Sequence, residues 1–357
     1  MKWLGKFPDP FLTEIAGQPE ALRRAAAALE DQRETLLALT EAATGGGGVV
    51  LTGMGSSYDA CFPAVNELAA RGVMALHIDT AELLHFRTEV LTRSTVLVIV
   101  SQSGESAEVV RLANSLVERA DRPTILSITN GLDNALAGRS DLRLDTRAGP
   151  ERGPSTMTFA ASMAQLAAVA GAIAGDPTVS AIERARAASE EAATAIDEVL
   201  DHAEVVVNRF TGAVRGRNTI AVLGRGPARA AAEMGALTLK ESGVMAEAFS
   251  TAAFRHGPFE LAGPSLAAII VATELETRSL DLRLAMDLLL AGASVTIIGP
   301  DGEAPEDALG IPIDASDRSL ASAASLVPIQ LLSWRLASEL GRDPGVYIRV
   351  SKVTTRE

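Results

Sequence analysis

The chain repeats itself at an interval of 171 residues, and this internal copy is the feature that most restricts its fold. VVLTGMG places Gly53 and Gly55 as AVLGRG places Gly224 and Gly226, 171 residues later. GVMA occurs at 72–75 and again at 243–246. Because one fixed shift accounts for every match, the sequence predicts a tandem duplication of one structural unit, with a period too long for a solenoid.

Each copy has the pattern of an α/β unit. Short β-branched runs alternate with small-residue loops and helical stretches, and they are VVLTG, TVLVIV, TILSIT, TIAVLG, LAAIIV and SVTIIG. Such alternation is typical of βαβ units around a parallel sheet. The spacing of leucines and alanines predicts an amphipathic helix over 10–44, and a charged stretch at 179–210 predicts a connecting helix. We therefore expect an N-terminal helical segment (1–44), two α/β domains (45–178 and 211–341) joined by the helix 179–210, and a C-terminal tail (342–357).

Composition excludes several classes of partner. The net charge of −13 argues against binding to nucleic acid or to an anionic membrane. The single Cys61 excludes a disulfide framework and a cysteine-based zinc site, and the sequence shows no other ligand cluster, so no metal or organic cofactor is expected. The first residues do not resemble a signal peptide, and no run approaches about 18 apolar residues without a charge, so we expect a cytoplasmic protein.

The loop SQSGES at 101–106 follows the apolar run TVLVIV and has the composition of a phosphate site. Loops between a strand and a helix present backbone N–H groups and the positive helix end, and serine hydroxyls add donors without bulk. GSS at 55–57 offers further donors at the same sheet edge. The alternative is that these serines only cap helices. In the second copy the loop becomes ATELET, whose Glu274 and Glu276 would repel a phosphate, so we assign anion binding to the first copy.

Four motifs in this order resemble the sugar isomerase (SIS) family: GMGSSYDA, SQSGES, GPSTMTF and KESGVMAEAFSTAAFRHGP. The resemblance is strongest to the isomerase half of glutamine:fructose-6-phosphate amidotransferase and to stand-alone amino-sugar-phosphate deaminases and deglycases. It covers nearly the whole chain. It implies two tandem flavodoxin-like SIS domains, with parallel sheets flanked by helices, and a homodimer with shared active sites. The implied ligand is a hexose 6-phosphate or an amino-sugar 6-phosphate held by the first domain.

The resemblance also implies site residues by position. Glu241 corresponds to the carboxylate that moves a proton between C1 and C2 of the sugar, and His256 to a histidine that opens the ring in the neighbouring subunit's site. Lys352 corresponds to a lysine of a tail that folds over the sugar. Carboxylate and imidazole are usual proton-transfer groups. The substrate-binding residues implied in the same way are Ser57, Ser101, Gln102, Ser103, Ser106 and Ser155.

Taken singly, these residues have ordinary structural interpretations. A glutamate on a helix is commonly solvated, a histidine before Gly-Pro commonly lies in a turn, and a tail lysine commonly lies on the surface. The chain also departs from the family pattern. Thr238 and Met157 stand where family members have lysine, and the segment after Glu241 is one residue shorter.

The function expected from this sequence is an amino-sugar-phosphate deaminase of the SIS family. Its reaction would convert glucosamine 6-phosphate to fructose 6-phosphate and ammonia. No glutaminase segment is present in the sequence, so synthesis of an amino sugar from glutamine is not expected. Two alternatives remain open, a deglycase acting on a 6-phosphorylated sugar–amino acid adduct and a non-catalytic phosphosugar-binding regulator.

Overall fold

A computed structural model describes residues 9–356. The helices, in chain order, are α1 Pro10–Ala16, α2 Gln18–Asp31, α3 Arg33–Ala43, α4 Ser56–Asp59, α5 Phe62–Ala70, α6 Thr80–Phe86, α7 Ala107–Val117, α8 Met157–Ile173, α9 Thr178–Asp201, α10 Ala203–Val214, α11 Arg229–Glu241, α12 Thr251–Phe254, α13 Arg278–Leu290 and α14 Ala321–Glu339. The strands are β1 Val49–Thr52, β2 Ala75–His77, β3 Val96–Val100, β4 Thr124–Thr129, β5 Leu142–Asp145, β6 Thr219–Gly224, β7 Ala246–Ser250, β8 Leu266–Val271, β9 Ser294–Gly299 and β10 Leu309–Pro312.

These strands form two five-stranded sheets within residues 9–356. The first has the order β2-β1-β3-β4-β5 and the second the order β7-β6-β8-β9-β10. Every pairing between neighbouring strands is parallel. The central strands are buried throughout, as expected where helices cover both faces of a parallel sheet. The predicted fold class, α/β with two tandem units of parallel sheet flanked by helices, is confirmed.

The six predicted strands are all present, and the four that the sequence did not reveal are the edge strands β2, β5, β7 and β10. An edge strand pairs on one side only, so it is often short and partly solvated, and it needs no continuous apolar run. β2 has three residues and no fully buried one, and β10 contains Gly310 and Pro312. Apolar patterning therefore found the buried strands and missed the edges.

The predicted duplication is visible in the backbone. Gly53 directly follows β1, and Gly224 is the last residue of β6. A Cβ atom would lie 2.8 Å from the Ser57 backbone carbon at Gly53 and 2.6 Å from the Ala228 backbone oxygen at Gly224. The first four strands of the two sheets begin 170 or 171 residues apart, whereas β10 begins 167 residues after β5. The two copies thus share their topology and their first turn and diverge near the end of each unit.

The prediction of one continuous helix over 10–44 and another over 179–210 was wrong, because each stretch is broken into shorter helices. The stretch 10–44 contains three helices, and α1 ends at Gly17, whose N–H bonds back to Thr13 and Glu14 carbonyl oxygens. The second break falls at Gln32, whose side chain donates to Ala28 and Asp145 carbonyl oxygens. The stretch 179–210 likewise contains α9 and α10, with a break at His202. Uniform apolar spacing continued across these breaks, so the pattern alone did not reveal them.

The described chain divides into two compact units, one around each sheet. The first-sheet unit comprises residues 20–151, 156–190 and 349–356, and the second-sheet unit comprises residues 9–19, 152–155 and 191–348. In the first-sheet unit α7 packs on one face of β1, β3 and β4. In the second-sheet unit α13 packs in the same way on β8 and β9. The predicted domain boundaries remain a prediction.

α8 and α14, which are apolar on almost every side, supply much of each unit's core. None of the described helices is both long enough and apolar enough to span a bilayer.

Candidate functional site

The predicted phosphate loop follows β3, and Ser57 follows the neighbouring strand β1 in the same sheet. The chain leaves β1 toward β2 on one side, whereas β3 leads to β4 on the other. Ligands of open parallel sheets bind outside the carboxyl ends of the strands at such a reversal of order. Ser57 and the loop therefore share the edge of the sheet where a ligand is expected.

The loop 101–106 is held by its own serines. The Ser101 hydroxyl accepts a hydrogen bond from Gly104 N–H at 3.1 Å, and the Ser103 hydroxyl accepts one from Glu105 N–H at 3.1 Å. Gly104 has φ of 66°, and a Cβ there would run into the Asn134 side chain. A hydroxyl that accepts a hydrogen bond keeps its own proton to donate. Both serines can therefore shape the loop and still donate to a phosphate oxygen.

Three backbone N–H groups of the loop have no acceptor within residues 9–356: those of Gln102, Ser103 and Ser106. Ser106 is the N-cap of α7, yet its side chain makes no capping hydrogen bond there. The eleven-residue helix α7 also directs its positive end toward this point. For Ser106, the interpretation as a simple helix cap is not supported. The loop has the donors that an anion requires.

Ser57 lies in the first turn of α4, where its N–H donates to Met54 carbonyl oxygen at 3.1 Å. It is half-buried. The tight turn depends on Gly53, since any side chain there would overlap the backbone at Ser57. β1 therefore fixes Ser57 beside the loop's edge of the sheet through backbone geometry alone.

Lys352 belongs to the first-sheet unit and lies against a buried carboxylate that sequence reasoning missed. Its Nζ is 2.8 Å from Glu151 Oε2, and the Glu151 side chain has no exposed surface. Two residues further on, Thr354 carbonyl oxygen accepts a hydrogen bond from Ala107 N–H, the first residue of α7. The tail therefore bonds directly to the helix that follows the phosphate loop. In the sequence, the only signal for this contact is that Glu151 stands five residues before Thr156, which directly precedes α8.

Three predicted site residues belong to the second-sheet unit: Ser155, Glu241 and His256. Glu241 is the last residue of α11 and half-buried, and its Oε1 accepts a hydrogen bond from Tyr347 hydroxyl at 3.3 Å. The shorter segment after Glu241 therefore leaves this residue within its helix. Tyr347, in the tail, is a second neighbour that sequence reasoning missed. Ser155 is half-buried, and its carbonyl oxygen lies 3.5 Å from Gln330 Nε2.

His256 is exposed in a turn after α12, with its N–H bonded to Ala253 carbonyl oxygen at 2.9 Å. The following Gly257 has φ of 121°, a conformation that favours glycine. The side chain is thus presented on the surface of its own unit.

The positions that depart from the family pattern are internal. Thr238 has no exposed surface, and its hydroxyl donates to Met234 carbonyl oxygen within α11. Its carbonyl oxygen accepts from the Ser333 hydroxyl of α14. Met157 is buried at the start of α8. Both positions are buried, and at each of them an uncharged side chain stands in place of the family's lysine.

The second-sheet unit has a charged cluster where the first has the phosphate loop. Glu274 Oε2 accepts from Arg318 Nε at 2.9 Å, and Arg318 also pairs with Glu276. Asp281, at the start of α13, lies 3.4 Å from Arg225. Burial raises the pKa of the Glu274 and Asp281 carboxyls, and the nearby arginines only partly oppose this rise. These carboxylates make the second loop unsuited to a phosphate.

Comparison with known proteins agrees with this geometry. The SIS domain model matches residues 47–172, the segment that carries β1 to β5 and the phosphate loop. The glutamine–fructose-6-phosphate aminotransferase (isomerizing) of Pyrobaculum aerophilum is 28% identical over 361 residues, which is 99% of this chain and 58% of that protein. The chain thus spans little more than half the length of this relative.

Two solved structures share the fold. The C-terminal domain of glucosamine-fructose-6-phosphate aminotransferase from Francisella tularensis superposes with a TM-score of 0.85 at 22% identity, covering 96% of this chain and 99% of that one. Glucosamine-6-phosphate deaminase from Thermotoga maritima superposes with a TM-score of 0.66 at 20% identity, covering 92% and 99%. Residues 47–172 of this chain thus form a SIS domain.

Proposed function

We propose that the protein is an amino-sugar-phosphate deaminase that converts glucosamine 6-phosphate and water to fructose 6-phosphate and ammonia. The observation that carries the proposal is the loop 101–106, whose unpaired N–H groups, hydroxyls and helix end are suited to a sugar phosphate. The names of the similar proteins agree with it, since one is an isomerizing aminotransferase of fructose 6-phosphate and another a glucosamine-6-phosphate deaminase.

The chemistry needs a group that can take a proton from C2 and return it to C1. His256 would first open the sugar ring, which exposes the C1 aldehyde. Glu241 would then move the proton from C2 to C1 while one proton of the amine passes to O1, which converts the amino aldehyde to a C2 imine with a C1 hydroxyl. Water adds to this imine and ammonia leaves, giving the C2 ketone of fructose 6-phosphate. Glu241 suits the shuttle because it is half-buried at the end of α11 and its Oε1 accepts a hydrogen bond of 3.3 Å from Tyr347.

We further propose that the protein acts as a homodimer and that His256 serves the site of the second copy. The exposure of His256 on its own unit supports this arrangement, since an exposed turn residue is available to a neighbouring chain. The phosphate would then be bound by Ser101, Gln102, Ser103 and Ser106 of one chain, with Ser57 and Ser155 contacting the sugar.

The decisive experiment offers the purified protein a panel of 6-phosphorylated amino sugars and 6-phosphorylated sugar–amino acid adducts. Ammonia, free amino acid and hexose phosphate are each quantified. We expect ammonia and fructose 6-phosphate in equal amounts from glucosamine 6-phosphate. Release of amino acid from an adduct would instead identify a deglycase, and tight binding without any product would identify a phosphosugar-binding regulator. Either result overturns the proposal.

A pair of glutamate variants tests the proton shuttle. Glu241→Gln keeps the shape of the side chain but cannot accept a proton, so kcat should fall by about 10² or more while KM changes little. Glu247→Gln is the matched control, because Glu247 is an exposed residue of β7 in the same unit. Near-normal turnover in Glu241→Gln would remove Glu241 from the mechanism.

A further inference from the structure

The buried carboxylate of Glu151 is the most extensively bonded acidic group of the first-sheet unit. Its Oε1 accepts from Thr156 N–H at 2.9 Å, Thr156 hydroxyl at 3.0 Å and Thr158 N–H at 3.0 Å. Its Oε2 accepts from Thr158 hydroxyl at 2.5 Å. These four bonds fix the carboxylate across the first turn of α8, where the positive helix end also favours a negative charge.

The fifth bond of Glu151 differs from the other four, because it reaches 201 residues along the chain to Lys352. A helix cap needs no such partner. The part of the tail that belongs to the first-sheet unit, residues 349–356, forms no helix or strand, so it depends on individual contacts for its position. Within the first-sheet unit it is tied by Lys352 to Glu151 and by Thr354 carbonyl oxygen to Ala107 N–H, 3.0 Å away at the start of α7.

We propose that Glu151 is a positioning residue that fixes Lys352, and with it the tail, beside the phosphate loop. The inference rests on the proposed function for the role of Lys352 but not for the tether itself. Glu151 is immobilised by α8, so it can hold the Lys352 ammonium in one place rather than merely pair with a mobile side chain. The residue that bonds to α7 lies two positions after Lys352, so releasing the lysine also loosens the tail at the helix that follows SQSGES.

The geometry also explains why a glutamate is buried here. A buried carboxylate requires hydrogen bonds or an opposite charge, and Glu151 has both. Thr156 and Thr158 supply the hydrogen bonds, and Lys352, whose side chain is only 18% exposed, supplies the charge. Glu151→Gln would keep the side-chain size and one acceptor oxygen but remove the charge that holds the ammonium.

The first readout measures the tether without any turnover. Trypsin cleaves after Arg349 and Lys352, and such cleavage requires local release of the chain. Mass spectrometry follows the rate at which the tail is removed. We expect Glu151→Gln and Lys352→Met each to speed cleavage after Arg349 several-fold, and Lys352→Met has no cleavage site at position 352. Glu191→Gln is the matched control, since Glu191 also accepts hydrogen bonds from a loop, at Ser316 and Asp317, but holds no lysine.

The second readout is a double-mutant cycle on kcat with the substrate that the panel identifies. If Glu151 acts through Lys352, each single variant lowers kcat at least tenfold with KM changed less than about threefold, and Glu151→Gln has no further effect in the Lys352→Met background. Glu191→Gln should keep kcat. A purely structural role of Glu151 would give independent, multiplying effects instead.

The outcomes separate the inference from the proposed function. Unchanged tail removal in Glu151→Gln overturns the tether, whatever the protein catalyses. If Glu151→Gln does not fold, unchanged tail removal in Lys352→Met does the same. If the variants lose the tail faster but keep their kcat, the positioning role is overturned. It is also overturned if the two substitutions have independent effects on kcat in the double-mutant cycle. A wild-type protein without turnover on the panel contradicts the proposed function alone, and the trypsin rates then decide whether Glu151 holds Lys352.

Discussion

The loops after the two central strands occupy equivalent places in two copies of one fold, yet they differ in hydrogen bonding and in one carboxylate, Glu274, which stands where the first copy has Ser103. In the first copy, residues 101–106 turn through Gly104 and leave three N–H groups without an acceptor in the described chain. In the second, residues 272–277 carry Glu274 and Glu276, both paired with Arg318. Both loops follow a buried strand and precede a helix, so the contrast lies in the loop residues and not in the fold, and the proposed anion site depends on those residues.

The histidines His85 and His256 give the largest expected contrast between the copies, because they are 171 residues apart and both exposed. His256→Ala should lower kcat for ammonia release by about 10² or more, since general acid–base groups typically contribute that much. His85→Ala should leave kcat within about twofold. Equal effects of the two substitutions on kcat would contradict a catalytic role that is specific to His256.

A mixed dimer tests whether His256 acts on the neighbouring chain. His256→Ala and Glu241→Gln chains, carrying different tags, are co-expressed and the heterodimer is purified. In a shared-site dimer one of its two sites has both residues intact, so about half of wild-type activity should return. Light scattering checks the oligomeric state. A monomer, or a heterodimer as inactive as its parents, would contradict the shared site.

Ser103→Asp transfers the carboxylate of the second copy, Glu274, to the first. It should lower the affinity for glucosamine 6-phosphate by well over tenfold, since the loss of one charge-assisted hydrogen bond already costs about 1.5–3 kcal/mol. Titration calorimetry measures this change, and thermal unfolding verifies that the variant is folded. Ser103→Ala is the control and should have a smaller effect. An unchanged affinity in folded Ser103→Asp would place the phosphate elsewhere.

The sequence predicted those parts of the two copies whose residues have a local pattern, and it missed those that lack one. The repeat and the apolar runs predicted the buried strands and the place of both loops, because burial and small-residue turns have local signatures. The edge strands β2, β5, β7 and β10 lack such signatures, since each is only partly buried. The breaks at Gly17 and Gln32 were missed because apolar spacing continues through them.

In the candidate site, too, residues close together in the sequence could be predicted, whereas contacts between distant residues could not. Ser101, Gln102, Ser103 and Ser106 form one contiguous motif, so their shared loop could be predicted. Glu151 and Lys352 are 201 residues apart, and Tyr347 and Glu241 are 106 apart, so only the folded chain reveals these contacts. Arg318, which neutralises Glu274, was missed for the same reason.

The glycine at the turn of the phosphate loop gives the next largest effect, because the second copy has Leu275 at this position. Gly104→Ala would place a methyl group against Asn134, whose amide is already bonded to Gly131 carbonyl oxygen at 2.8 Å. Gly72→Ala is the matched control, since Gly72 also has positive φ, 76°, but open space around it. We expect Gly104→Ala to lose about 1–2 kcal/mol more unfolding free energy than Gly72→Ala, and also to bind the sugar phosphate several-fold more weakly. Chemical denaturation and calorimetry measure both, and equal losses would mean that the loop adapts.

The smallest expected effect concerns the pH dependence of the charged cluster in the second copy. Burial raises the pKa of the Glu274 and Asp281 carboxyls above the ordinary value of about 4. The folded protein therefore holds these two protons more tightly than the unfolded chain. Their contribution to the free energy of unfolding is greatest below about pH 4 and declines as the pH rises through the raised pKa values.

The double variant Glu274→Gln with Asp281→Asn removes this titration while keeping the side-chain sizes. The free energy of unfolding of wild type minus that of the variant should fall as the pH rises above about 4, as measured by urea unfolding at constant ionic strength. Asp121→Asn in the first-sheet unit is the control with the opposite sign, because Arg119 lowers the pKa of Asp121. Its difference should rise slightly with pH from below 4. A wild-type minus double-variant difference that stays level or rises would mean that Arg318 and Arg225 fully offset the burial of their partners, and the charged cluster would then be a stabilising ion-pair network.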